Sequence, residues 1–227
     1  MQEYKVQTDR QLVFYGHPFS SYCQKVLIAL YENGHAFDYR VLEPEHAGVM
    51  AEWVALWPLK KMPVLVAAGR TVVETTIIIE HLHLHCRGPV ALLPDDPVTA
   101  LEVRFMDRFF DNHVMTPMQG PVFEALRADG RKETALAEAA RALDTSYAWL
   151  DKRLDGRTWA AGDAFSLADC AAAPSLFYAD WVHRIGDLFP NVLSYRARLL
   201  RRPSVARAVD EARPYRAWFP LGAPDRD

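Results

Sequence analysis

Along the first third of the chain, short strand-like apolar runs alternate with stretches at helical spacing. Leu12 to Tyr15 forms a β-type run halted by Gly16 and Pro18. From Ser20 to Glu32 the apolar residues Val26, Leu27, Ala29, Leu30 and Tyr31 recur at helical spacing, and Asn33-Gly34 predicts the stop. Phe37 to Val41 predicts a second strand, Ala47 to Leu56 a helix closed by Pro58, and Pro63 to Val66 a third strand. Ala68-Gly69-Arg70 predicts a turn into a fourth strand, Thr71 to Val73. Thr75 to His85 reads as a helix with Ile78, Ile79 and Leu82 on one face. The resulting order, β-α-β-α-β-β-α, predicts a small mixed sheet with helices on its faces.

The pattern then changes. Arg87 to Pro97 holds Gly88, Pro89, Pro94 and Pro97, a linker composition, and strand signals become scarce after it. We therefore expect an α/β domain over residues 1–87, a linker over 88–97 and an all-helical domain over 98–227. Phe105, Phe109 and Phe110 predict one apolar stripe in the helical half; Leu136, Ala140, Leu143, Tyr147 and Leu150 predict a longer one. Ser166-Leu167-Ala168-Asp169 resembles a capping box, with Asp in the place of Glu, ahead of the apolar run Cys170 to Val182.

Composition removes several classes of partner. Half of the residues are apolar, enough for a sizeable core. With 26 basic and 29 acidic side chains, the net charge of -3 leaves no footprint for nucleic acid or an anionic membrane. Cys23, Cys86 and Cys170 form neither a zinc spacing nor an even disulfide set, which favours a reducing compartment. The polar start, MQEYKVQTDRQ, lacks the apolar stretch of a leader, and no run has the length of a membrane span. The expectation is a cytoplasmic protein. His81, His83 and His85 alternate on a helix with no carboxylate or cysteine pattern to complete a metal site, so no metal is expected.

Candidate chemistry starts at the first strand-to-helix junction, His17-Pro18-Phe19-Ser20-Ser21-Tyr22-Cys23. Helix N-termini favour negative charge. A serine is hard to ionise, but a ligand thiol titrates near about 8.5, and a hydroxyl donating to its thiolate would lower that value. Ser20 or Ser21 can serve in this way, or can simply cap the helix.

Two further segments give that junction its context: Leu59-Lys60-Lys61-Met62-Pro63-Val64-Leu65, and Val73-Glu74-Thr75-Thr76-Ile77. In the helical half stand Phe165-Ser166-Leu167-Ala168-Asp169 and Phe189-Pro190-Asn191-Val192, leading to Arg202-Pro203-Ser204-Val205. In this order and spacing the set resembles the cytosolic glutathione transferase superfamily over nearly the whole chain. The resemblance implies a thioredoxin-like first domain, a homodimer, and conjugation of glutathione to an apolar electrophile, a detoxifying reaction. It assigns the thiol to Ser20, with Ser21 as the fallback. It makes the Met62–Pro63 bond cis, so that the Met62 backbone pairs with the peptide ligand. Glu74 and Thr75 would then take the γ-glutamyl end, and Lys61, with Lys60 as the alternative, the glycyl carboxylate.

Lower-ranked candidates are Tyr15, where tyrosine-type members carry their phenol, and His46 for the glycyl carboxylate. Asp107 and Asp111 are candidates for the γ-glutamyl ammonium, across the dimer in many relatives. Phe19, Phe109, Met115, Met118 and Tyr178 are candidates to face the electrophile or, for any one of them, to be core. Rival readings are a glutathione-dependent isomerase resembling the zeta class, a non-catalytic glutathione-binding protein, and a thiol–disulfide reductase. The last is disfavoured because Ser20 stands where glutaredoxins carry their nucleophilic cysteine.

Overall fold

The computed structural model describes residues 12–127 and 129–227; the polar start, and with it the expectation that no leader is present, lies outside the described residues. The first elements run β1 (Leu12–Gly16), α1 (Ser21–Glu32), β2 (Asp38–Val41), α2 (Ala47–Leu56), β3 (Val64–Ala67), β4 (Arg70–Val73) and α3 (Thr75–His85). This is the predicted order, with no boundary shifted by more than one residue. Pro63 precedes β3 rather than opening it, because proline has no N–H to give the ladder.

The strands form one sheet in the order β2-β1-β3-β4. β1 pairs parallel with β2 and antiparallel with β3, and β3 pairs antiparallel with β4. Central β1 is therefore flanked on both edges, and its C-terminal end leads into the junction before α1. Gly16 is required there: a Cβ would come within 2.8 Å of both Cys23 Sγ and the Phe14 ring.

The helical half comprises α4 (Pro97–Phe109), α5 (Thr116–Ala125), α6 (Lys132–Arg153), α7 (Leu167–Val182), α8 (Pro190–Leu200) and α9 (Pro203–Ala212). A π-helical turn, Phe110–Met115, joins α4 to α5, and a 3₁₀ turn, Arg213–Trp218, follows α9. The predicted capping box is formed: Asp169 accepts from the Ser166 N–H and hydroxyl, at 2.9 and 3.1 Å. Buried Asp169 also accepts from Ala160 N and the Tyr195 hydroxyl, so one carboxylate fixes the entry to α7.

The main core runs through both halves. Leu27 and Leu30 of α1, Ile78, Ile79 and Leu82 of α3, and Leu143, Tyr147 and Leu150 of α6 belong to the same buried cluster. The stripe at Phe105 is corrected. Phe109 and Phe110 are buried, but Phe105 is 47% exposed and meets Trp149 edge-on. Phe105 lies within regular α4, ahead of the π-helical turn, and its ring covers Trp149 at the surface instead of entering the core.

Candidate active site

Serine 20 sits at the N-cap of α1 in extended conformation, and its Oγ accepts from Cys23 N at 3.4 Å. Accepting leaves the hydroxyl hydrogen free to donate elsewhere. Both readings of this residue, cap and donor, are thus compatible in one side chain. Ser21 opens the helix and is buried. Cys23 is buried too, and burial pushes its thiol up to about 11, so it offers no nucleophile near neutral pH.

The Met62–Pro63 bond is cis. Trp53 supports this turn by donating its indole N–H to Lys61 O at 3.0 Å. Glu74 precedes α3 with φ 69°, a conformation that side chains disfavour, and Thr75 follows as the first helical residue. Lys61, Met62, Pro63, Glu74 and Thr75 line one cavity of about 600 Å³, with Tyr22, Trp57, Thr76, Ile77, Arg108, Asp111 and Asn112 completing its wall.

The serines face elsewhere. Ser20 and Ser21 line a second, mostly apolar pocket of about 310 Å³, with Phe19, Met118, Gln119, Val122, Leu126, Tyr178, Trp218, Phe219 and Pro220. The first turn of α1 contributes to both spaces, giving Ser20 and Ser21 to one and Tyr22 to the other. No charged side chain lines the apolar pocket. The Tyr178 hydroxyl does not serve it as a free donor, because it donates to Phe19 O at 2.9 Å and accepts from Gln24 Nε2 at 3.1 Å.

The other candidates divide between core, cavity and surface. Phe109 and Met115 line neither space. Met115 lies in the core, and the buried Phe109 ring packs on Phe110 and Trp149. Asp107 and Asp111 are held within their own chain. Buried Lys25 of α1 reaches Asp107 at 2.6 Å and Asp111 at 2.8 Å, Arg108 contacts both carboxylates, and Thr76 donates to Asp107 at 2.8 Å. Of the two, Asp111 alone lines the large cavity. Tyr15 faces the smaller core with Leu42, Trp53 and Val64 and donates to Glu52 at 3.0 Å; burial first, then Glu52, raises its pKa. It lines neither space. His46 lies outside both as well, its Nδ1 3.2 Å from Val41 O.

Sequence reasoning missed Arg108, Asn112, Trp218 and Phe219. Arg108 had a readable signal, since it stands three residues before Asp111, the helical spacing at which opposite charges meet. The aromatic pair near the C-terminus had none, because no periodicity says where a short 3₁₀ turn will fold back.

A β-α-β-α-β-β-α unit with a cis-proline beside the ligand cavity, followed by a helical domain, defines the glutathione transferase class of two-domain proteins. The comparisons agree. Residues 14–89 match the family model "Glutathione S-transferase, N-terminal domain", and residues 113–203 match "Glutathione S-transferase, C-terminal domain". The chain is 30% identical over 152 residues to glutathione transferase GST 23 of Zea mays, covering 66% of this chain and 64% of that relative's length. It is 27% identical over 209 residues to glutathione S-transferase U7 of Arabidopsis thaliana, covering 87% and 85%. A glutathione S-transferase of Methylobacillus flagellatus, solved with glutathione bound, shares the fold at TM-score 0.75 and 24% identity, over 87% of this chain and 98% of that one. The chain belongs to the glutathione S-transferase family.

Proposed function

We propose that this protein conjugates glutathione to an apolar electrophile, as a serine-type member of its family. One observation carries the reading: five residues from two separate segments, Lys61 to Pro63 and Glu74 with Thr75, converge on one cavity of about 600 Å³. Their chemistry suits a peptide with an ammonium and two carboxylates. Thr75 offers its hydroxyl and backbone N–H, Glu74 a counter-charge, and Lys61 a cation. Ser20 would hold the thiolate at the positive end of α1, and the apolar pocket would take the second substrate. An uncharged lining penalises a charged electrophile, which would lose its hydration without a partner.

The wider reading includes a division at the linker 88–97, a cytoplasmic location and a homodimer built on α3 and α4. Light scattering at micromolar concentration tests the dimer; a monomer mass would reject it. Among the described residues, no helix is long and apolar enough to cross a membrane.

A second reading has one observation in its favour. The serines and the peptide-binding residues line different spaces, as a glutathione-binding protein without thiol activation would allow. A panel of electrophiles with glutathione, including a cis–trans isomerisation substrate and a mixed disulfide, separates the two. Calorimetric binding without turnover of any of them would leave only the second.

A further inference from the structure

The loop that carries Ser20 is held by His17, three residues before it. Ser20 N donates to His17 O at 3.0 Å, Phe19 N donates to His17 Nδ1 at 3.1 Å, and His17 N donates to Cys23 Sγ at 3.4 Å. The imidazole is buried. It stacks on Trp218 at 5.5 Å between centroids and meets Tyr215 edge-on at 4.5 Å, both from the 3₁₀ turn at the far end of the chain. Tyr215 is itself fixed by donating to Glu43 at 2.7 Å.

Because Phe19 N–H donates to Nδ1, that nitrogen carries a lone pair, and the neutral ring must hold its proton on Nε2. Among the described residues Nε2 has no hydrogen-bond partner, and Glu43 lies 3.9 Å from it. We propose that His17 is a positioning residue for thiol activation: its neutral Nε2–H form, clamped by Tyr215 and Trp218, fixes the Phe19–Ser20 backbone and so aims the Ser20 hydroxyl. The proposal rests on the transferase reading.

Glu43 from the loop after β2 and Tyr215 from the 3₁₀ turn face the ring, while the Cys23 thiol from α1 accepts from the His17 backbone N–H. Burial lowers the His17 pKa against the raising pull of Glu43. Protonation places a hydrogen on Nδ1, where it opposes the Phe19 N–H and breaks that bond. The loop is therefore held at neutral pH and released on the acid side.

Two measurements test this on the full chain with glutathione present. Nitrogen-resolved histidine NMR should show His17 near neutral pH as the Nε2–H tautomer. A ring protonated on Nδ1 there would overturn the proposal, and this needs no variant. In the second, thiolate absorbance against pH and steady-state rates are read in His17→Asn and His17→Phe. Asn keeps an acceptor near Nδ1 without the full ring; Phe keeps the ring without the acceptor. His17→Phe should raise the midpoint of thiolate formation and lower kcat by roughly 3- to 30-fold, as for one lost hydrogen bond, with KM for glutathione nearly unchanged. His17→Asn should recover most of the loss. The opposite ranking, with Phe active and Asn impaired, means that the ring only fills space and overturns the proposal alone. A wild-type protein that binds no glutathione in calorimetry overturns the transferase reading and this proposal together.

Discussion

Lys25 of α1 and Asp107 of α4 form an ion pair across the two halves of the molecule, with side-chain exposures of 1% and 0%. A pair this buried is costly to assemble and costlier to break, because removing one partner strands the other in a dry site. Lys25→Met should therefore destabilise the protein by about 3–5 kcal/mol. Urea denaturation followed by far-ultraviolet dichroism reads this directly; a loss below about 1 kcal/mol, the range of exposed pairs, would show that water reaches the carboxylates.

Glu74 separates binding from stability. Glu74→Ala should weaken glutathione by roughly 1–3 kcal/mol through loss of a charged contact. Glu74→Gly should weaken it as much, yet relieve the φ of 69° and fold more stably by on the order of 1 kcal/mol. Calorimetry and thermal melts on both variants check the pair of effects. Unchanged affinity in both would remove Glu74 from the site.

Ser20→Ala should lower kcat/KM near neutral pH by about 10- to 1000-fold and raise the pKa of the bound thiol, as for one preorganised donor. Glutathione affinity should change little. Because Ser20 also caps α1, the variant should lose about 1 kcal/mol of stability, which leaves it folded. If Ser21→Ala shifts the thiolate curve and Ser20→Ala does not, the register is off by one.

Asp227 pins the 3₁₀ turn that carries Tyr215 and Trp218. It accepts from Arg213 at 2.7 Å and contacts Arg216, and the Arg213 bond, followed by Arg216, lowers its pKa. For a carboxyl whose folded-state pKa is depressed, the stabilisation is full above the ordinary value of 3.8 and is lost as pH falls through the lower one. Acid should thus loosen the turn. The emission of Trp218, taken as the difference between wild type and Trp218→Phe, should change on that acid limb. In Asp227→Asn the limb should disappear. An identical acid transition in Asp227→Asn would assign it to another group.

The fold was largely legible because its signals are local. Ile78, Ile79 and Leu82 share a helical face, Ser166 and Asp169 sit at capping distance, and Pro63 marks the special turn before β3. The candidate binding residues Lys61, Met62, Glu74 and Thr75 were legible through motif order, and the structure gathers them in one cavity. What stayed hidden depends on tertiary partners. Lys25 reads as one more polar position on α1, and only the packing of α4 against it reveals its two carboxylates. Trp218 gives no signal in the sequence; it is 59% exposed, yet it reaches back to His17.

The π-helical turn at Phe110–Met115 acts as a phase shifter. An α-helix advances about 100° per residue, so one extra residue within a turn rotates everything beyond it by about that angle. Arg108, Asp111 and Asn112 lie before or within the turn and serve the peptide cavity; Met118, Val122 and Leu126 lie beyond it and serve the apolar pocket. Deleting a single residue here would re-aim the whole far half without altering any side chain in it. The lining of the apolar pocket is thus open to change by insertion and deletion at this turn as well as by substitution of its residues one at a time.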